Sequence, residues 1–273
     1  MRLTILGVRG STAAPGAEFV RYGGHTSCVV VAPSADAAPT LVLDAGTGLR
    51  ALTTMLAGEP FTGTILLSHL HWDHVQGIPF FAAGDRPDAA VDLYLPAQAG
   101  ASGRDLLAQQ MSPPGFPITP EGLLGEWSFH ALSPGRVATA GFDVTAFVVS
   151  HKGGITYGYR IDHNGSSVAY LPDHAPKVGV SEQVRSALQG VDVLIHDAQF
   201  LDHERPRAES YGHATVQDAI ALAEQAGAGQ LVLFHHSPHR TDDALDAIGA
   251  QFERPADSGL AVTIAAQRQV IDV

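Results

Sequence analysis

The sequence predicts an α/β protein whose sheets carry helices on their outer faces. Three observations lead there. Short apolar runs, mostly of five or six residues, recur from end to end, and in the second half amphipathic runs alternate with them. A strong turn signal, Asn164-Gly165, joins two of these runs as a hairpin. The composition, 45% hydrophobic and 16% charged over 273 residues, is that of a chain with a packed core.

In chain order the strand-like runs lie at 3–8, 27–32, 40–43, 63–67, 91–95, 127–132, 142–149, 156–161, 167–171, 191–195, 230–234, 260–265 and 269–271. Helix-like runs lie at 48–57, 102–110, 181–188, 215–225 and 242–252. In the run 215–225, Val216, Ala219, Ile220 and Ala223 fall at the spacing of one buried face. No low-complexity linker divides the chain, so one domain over 1–273 is expected. The segment 96–125 stands apart. Pro113, Pro114, Pro117 and Pro120 mark it as a surface loop with a short helix, or as a lid over a site.

Charge and cysteine content narrow the function. Sixteen Lys and Arg against 28 Asp and Glu give a formal charge of −12, which disfavours a broad grip on nucleic acid. The single cysteine, Cys28, excludes an intrachain disulfide, a four-cysteine zinc knuckle and an iron–sulfur cluster, and its setting beside a strand start reads as core. No apolar run approaches the roughly 18 residues of a membrane span. The opening MRLTILGVRG reads as a first strand rather than a signal peptide. A cytoplasmic enzyme is expected. Histidine is the outlier, with fourteen residues, several of them clustered.

The densest cluster is Leu66-Leu67-Ser68-His69-Leu70-His71-Trp72-Asp73-His74. Three imidazoles and a carboxylate follow directly on an apolar strand. These are the donors zinc prefers when thiolate is absent. In extended chain His69 and His71 share one side, because side chains alternate with period two. Asp73 and His74 then sit where the chain turns and can face a second ion.

This H-x-H-x-D-H stretch resembles the signature of the metallo-β-lactamase superfamily, and the resemblance covers nearly the whole chain. Val148-Val149-Ser150-His151, followed by Gly158-Tyr159-Arg160, is similar to the family's third ligand motif. Tyr170-Leu171-Pro172-Asp173-His174 places an aspartate after an apolar strand, where the family keeps a bridging carboxylate. Leu231-Val232-Leu233-Phe234-His235-His236 resembles the stretch carrying the last ligand. The resemblance implies a four-layer αββα sandwich with two divalent ions between its sheets. His69, His71 and His151 would hold the first ion. Asp73, His74 and His235 would hold the second, and Asp173 would bridge both. Histidine rather than glutamate at His71 implies zinc instead of the redox di-iron branch; manganese or iron is the alternative.

Two further motifs narrow the branch. Leu194-Ile195-His196-Asp197-Ala198 resembles the His-Glu-Ala stretch of ribonuclease Z and cyclic-nucleotide phosphodiesterases. Gly212-His213-Ala214-Thr215 resembles their Gly-His-Ser-Thr stretch. The resemblance makes Asp73, Asp197 and His213 the expected catalytic residues, with Asp197 orienting His213 and His213 handling a proton. Aspartate is one methylene shorter than the family's glutamate, which alters that contact. Gly7-Val8-Arg9-Gly10-Ser11 and Tyr22-Gly23-Gly24-His25-Thr26-Ser27-Cys28 resemble the opening of small bacterial phosphodiesterase-like members. Those members carry asparagine where this chain has His25, so His25 is a support for the site, a substrate contact or a loop residue. Asp44, in Asp44-Ala45-Gly46-Thr47-Gly48, either orients the metal loop or caps a helix. His174, His236 and His239 flank the ligands and are candidates for the pocket wall.

The leading expectation is a di-metal hydrolase that cleaves a phosphodiester with a hydroxide generated between the ions, on a small substrate such as a cyclic nucleotide. The alternatives are a ribonuclease Z-like RNA 3′-end endonuclease and a carbonyl hydrolase of lactones, thioesters or β-lactams. A binding module that keeps the fold without catalysis is the reading from a different class; an intact seven-residue ligand set argues against it. Against RNA, the chain has no room for an added nuclease domain, and segment 96–125 carries one basic residue, Arg104. Small members of the fold often form homodimers, so a homodimer is the expected assembly if there is one.

Overall fold

The computed structural model describes residues 1–273 apart from 256 and 258. Among them, two seven-stranded mixed sheets are formed. The first contains β1 (Arg2–Gly7), β2 (Cys28–Ala32), β3 (Leu41–Leu43), β4 (Thr62–Leu66), β5 (Ala90–Pro96) and β6 (Glu126–Leu132) side by side. The second contains β7 (Gly135–Thr139), β8 (Phe142–Val149), β9 (Thr156–His163), β10 (Ser166–Leu171), β11 (Val193–Asp197), β12 (Gln230–Phe234) and β13 (Ala261–Ile264), also in chain order. The last strand, β14 (Val270–Asp272), returns to the first sheet beside β1.

Period-two alternation assigns each strand residue to one of two cores. Leu3, Ile5, Val29, Val31, Leu66, Tyr170, Ile195, Val232 and Phe234 belong to a single cluster between the sheets. Their neighbours in sequence face outward. Cys28, Val30, Ile65 and Leu67 pack under α1 (Arg50–Met55) and near α2 (Trp72–Val75) and α3 (Gly103–Ala108). Leu194, Leu231 and Leu233 pack under α4 (Glu182–Leu188), α6 (Val216–Ala226) and α7 (Asp242–Phe252). Strands buried on both faces read as continuous apolar runs, which is why they stood out in the sequence. The result is the expected four-layer α/β/β/α arrangement.

The expected hairpin forms. His163 pairs with Ser166, and Asn164 and Gly165 both hold positive φ, 51° and 85°, as a tight two-residue connection requires. Three elements were not anticipated. Strand β7 is a short edge strand with alternating polar residues. Helix α2 is one turn inside the histidine cluster. Helix α5 (Arg205–Tyr211) carries Pro206 in its first turn, a tolerated position that reads as a breaker in sequence. The run 48–57 divides into a 3₁₀ turn, Thr47–Leu49, and α1.

The topology gathers strand ends. Strands β10, β11 and β12 are parallel, and β8 runs the same way because both it and β10 pair antiparallel with β9. Their C-terminal ends therefore open on one edge, the usual place for a ligand site in α/β sheets. From the facing sheet, the residues after β4 reach the same edge. Tyr157 N–H donates to the Ser68 carbonyl at 2.8 Å, and Tyr159 Oη donates to the Leu67 carbonyl at 2.6 Å, tying the two sheets there. No helix among the described residues is long and apolar enough to cross a membrane.

Candidate metal centre

Five strand ends deliver the polar cluster. His69 and His71 follow β4, with Asp73 and His74 in α2 behind them. His151 follows β8, Asp173 follows β10, Asp197 closes β11, and His235 follows β12. Two groups result: His69, His71, His151 and Asp173; and Asp73, His74 and His235. Within each group the donor atoms lie within 4.8 Å of one another. Asp173 joins the two. Its Oδ2 lies 3.4 Å from His151 Nε2 and 3.7 Å from His69 Nε2. Its Oδ1 lies 3.1 Å from both His74 Nε2 and His235 Nε2.

The outer nitrogens fix which inner nitrogens are free. His74 Nδ1 donates to Asp44 Oδ2 at 2.7 Å. Ser68 Oγ donates to the same Asp44 oxygen at 2.8 Å, so His69 Nδ1, 3.0 Å away, is the donor to Ser68 Oγ. His151 Nδ1 donates to the Gly212 carbonyl at 2.6 Å. In neutral imidazole the other nitrogen then carries a lone pair. Those lone pairs all point inward. His69 Nε2, His74 Nε2 and Asp173 Oδ1 are buried without a hydrogen-bond partner among the described residues. Converging buried acceptors with no donor are costly unless a cation sits between them. The residues present therefore fit divalent ions, and the N/O donor set suits zinc. Asp44 is the shared support: besides His74 and Ser68 it accepts from Tyr170 Oη at 2.9 Å.

The electrostatics agree. Burial pushes the His69 imidazole well below its ordinary value and keeps it neutral. Burial would lower His74 too, but Asp73, Asp173 and Asp44 outweigh it and raise it. Burial would raise Asp73 and Asp173, yet the surrounding imidazoles hold both carboxyls below the usual range. In the metal-free chain, His74 takes up charge that a cation would otherwise supply.

Beside this cluster stands a second pair. His213 Nδ1 donates to Asp197 Oδ2 at 2.8 Å. Burial alone would lower the His213 pKa; Asp197, and more weakly Asp173, lift it to about 9. Asp197 is itself fixed, accepting from the backbone N–H of His174 at 3.1 Å and of Gln199 at 3.0 Å. The shorter aspartate therefore still reaches the histidine. Asp173, His213 and His235 also lie close enough to hold an ion together. With Nδ1 committed to Asp197, His213 keeps Nε2 free at the cavity it lines, as a proton carrier or as a further donor to an ion. Ser11, Leu70, His71, Trp72, Asp73, Gln110, Asp173, His213 and His235 line a cavity of about 400 Å³ over the cluster, a size suited to a small ligand.

Residues 40–236 match the beta-lactamase superfamily domain. The chain belongs to this superfamily. A ribonuclease Z from Bradyrhizobium diazoefficiens is 27% identical over 305 aligned residues, covering 91% of this chain and 94% of the relative. The metallo-beta-lactamase fold protein YhfI from Bacillus subtilis superposes with a TM-score of 0.72 at 23% identity, over 99% of both chains. A diphosphatase from the PhnP family superposes with a TM-score of 0.71 at 18% identity, covering 100% of this chain and 97% of the other. These two likenesses speak for the fold.

Within the superfamily frame, the seven residues expected to hold metal do converge, and Asp197 and His213 do meet. The other histidines go elsewhere. His25 Nδ1 lies 3.1 Å from Thr47 Oγ1, outside the cavity lining. His174 is buried, its Nδ1 2.9 Å from His196 Nε2. His236 Nε2 donates to the Ala265 carbonyl at 2.9 Å, and burial pushes its pKa down to about 3. Neither of these, nor His239, lines the cavity. Segment 96–125 contributes Gln110 to the wall. Ser68, Tyr170, Gln110 and Gln199 had no sequence signal of their own. Ser68 and Tyr170 lay inside quoted motifs, one residue before His69 and three before Asp173.

The fit to metal predicts a thermal response. Zinc at about a thousandfold its Kd is expected to raise the Tm of chelator-stripped protein by roughly 10 °C. Calorimetry on wild type and His69→Ala checks this. An equal rise in both proteins would count against the cluster as the site.

Proposed function

We propose that this chain is a metal-dependent hydrolase of phosphodiester bonds, acting on a small substrate such as a cyclic nucleotide. The observation that carries the reading is the Asp197–His213 pair, 2.8 Å apart and opening on the same cavity as the metal-ligand cluster. Breaking a phosphodiester needs a proton for the leaving alkoxide, and a positioned imidazolium beside the reacting centre supplies it. His69, His71, His151, Asp73, His74, His235 and Asp173 would hold two divalent ions. Bound there, such ions supply Lewis acidity to a phosphoryl oxygen and lower the pKa of water.

The chain's own residues do the rest. Asp44 orients His74, and the Gly212 carbonyl orients His151. Asp197 fixes His213 with Nδ1 toward the carboxylate, which leaves Nε2 as the atom that delivers a proton. Trp72, 75% exposed, lines the cavity and offers a flat surface to an aromatic leaving group or base. A cavity of about 400 Å³ favours a small diester over a long strand.

The likeness to ribonuclease Z favours a second reading, RNA 3′-end cleavage. Two substrates separate the readings. The zinc-loaded protein is expected to hydrolyse bis(p-nitrophenyl) phosphate and cyclic nucleotides and to leave a precursor tRNA intact. Cleavage of the tRNA at its 3′ side would install the second reading. Turnover of lactones or thioesters with no diester hydrolysis would sink both.

A further inference from the structure

Ser11 carries a hydrogen-bond donor that the metal cluster and the Asp197–His213 pair leave unused. The loop that delivers it is built from beneath. Arg9 is fully buried; its Nε donates to the Gly23 carbonyl at 2.7 Å and its Nη1 to the Arg240 carbonyl at 2.6 Å. Gly10 lies flat on the His235 ring, where a Cβ would come within 2.4 Å of it. Ser11 follows with φ 65°, a backbone conformation that non-glycine residues rarely adopt and that clusters at functional sites. His235, with φ 59°, shares that feature across the cavity.

Both polar groups of Ser11 are placed. Its backbone N–H donates to Asp73 Oδ2 at 2.6 Å. Its Oγ accepts from Gln199 Nε2 at 2.9 Å. Gln199 is 4% exposed and is anchored through its own N–H to Asp197 Oδ1. This amide orientation leaves Gln199 Oε1 without a partner. The reverse orientation would strand an amide group with two hydrogens in place of one acceptor. A hydroxyl has one hydrogen. With Gln199 donating to its oxygen, Ser11 directs that hydrogen to the cavity it lines. Asp73 and Asp173 line the same cavity and offer only acceptors, so an anionic oxygen there needs donors.

We infer that Ser11 is a substrate-contacting residue whose hydroxyl donates to a nonbridging oxygen of a bound phosphodiester, and that Gln199 is the positioning residue behind it. The inference rests on the phosphodiester reading for its substrate. It extends that reading from the metal ligands to the recognition of the phosphoryl group.

Ser11→Gly is the informative variant. Glycine suits the positive φ and keeps the N–H that holds Asp73, so the hydroxyl alone is removed. With bis(p-nitrophenyl) phosphate, KM is expected to rise about tenfold and kcat to fall by less. Inorganic phosphate, followed by calorimetry on the zinc-loaded protein, is expected to bind about tenfold more weakly. Zinc content and Tm serve as controls for the fold. Gln199→Leu is expected to raise KM in the wild-type background and to add nothing in Ser11→Gly, because its effect runs through Ser11. A merely structural glutamine would give additive losses. Unchanged KM and unchanged phosphate affinity in Ser11→Gly would overturn the inference. If the wild type turns over no diester while Ser11→Gly still weakens phosphate, the phosphodiester reading fails and the Ser11 contact stands. Phosphate binding that is immeasurable in both proteins, with no diester turnover, overturns both.

Discussion

Asp173→Ala is expected to remove ion binding and turnover together, with activity falling on the order of 10³-fold or more. The reason is geometric. Four imidazoles, His69, His74, His151 and His235, each place a nitrogen within 3.7 Å of this one carboxylate. Ser68 Oγ also reaches both clusters, 3.0 Å from His69 Nδ1 and 3.4 Å from His74 Nδ1, but on the outer nitrogens; Asp173 meets the inward ones. Removing it leaves two incomplete ligand sets that lack a shared charge. The same variant carries a second signature. In the chelated protein the imidazoles outweigh burial and hold the Asp173 carboxyl below the usual range, so removing it leaves buried charge on His74 without this partner. The chelated variant is therefore expected to melt lower than chelated wild type but still cooperatively, while zinc no longer raises its Tm. That pairing separates loss of a ligand from loss of the fold. Asp173→Asn keeps the shape without the charge and is expected to bind zinc weakly. Elemental analysis after gel filtration, with calorimetry on the same samples, reads all three. A variant that still holds zinc at the wild-type ratio would remove Asp173 from the centre.

The strands and the helices outside them were legible from the residues for one physical reason, whereas the four layers and the full set of convergent residues were implied by the family resemblance. Strands buried on both faces leave continuous apolar runs, and a ligand at a strand end is marked by the abrupt change from apolar to His or Asp. Leu66-Leu67 before His69 and Leu233-Phe234 before His235 show that change. The unread parts lack such a boundary. Strand β7 is an exposed edge with polar alternation, and α5 hides a proline in its first turn. Asp44 was legible only as one of two alternatives, because its partners come from two other places in the chain, Ser68 and His74 from the loop after β4 and Tyr170 from β10. Gln199 was not legible at all. Its bond to Ser11 spans 188 residues and depends on β11 ending beside the loop after β1. His25, His174 and His236 show the converse: burial or a loop contact explains each, and a histidine near a motif is not thereby part of it.

His213→Ala is expected to lower kcat by about 10²- to 10⁴-fold while zinc content stays at the wild-type ratio. The two halves of that statement depend on different contacts. His213 Nδ1 is bound to Asp197, which sets the orientation of the ring; on the proposed reading its Nε2 then delivers a proton, and the ion is held by the other residues. Asp197→Asn tests the orientation directly. An amide in place of the carboxylate no longer holds the Nδ1–H tautomer, and it removes the charge that raises the pKa. Burial still lowers it and only Asp173 and Asp73 still raise it, so the His213 pKa should fall from about 9. In the metal-free protein, NMR of the imidazole is expected to show His213 protonated at pH 7.5 in wild type and less so in Asp197→Asn. A cation bound nearby opposes the protonated form, so zinc should lower the wild-type midpoint without reaching that of the variant. The sign for catalysis follows. A histidine that donates its proton is competent below its pKa, so kcat should fall on the alkaline side, and at lower pH in Asp197→Asn than in wild type. Loss of zinc on His213→Ala would reassign the residue to the ligand set with Asp173 and His235. An Asp197→Asn variant with an unshifted His213 midpoint would remove Asp197 as its partner.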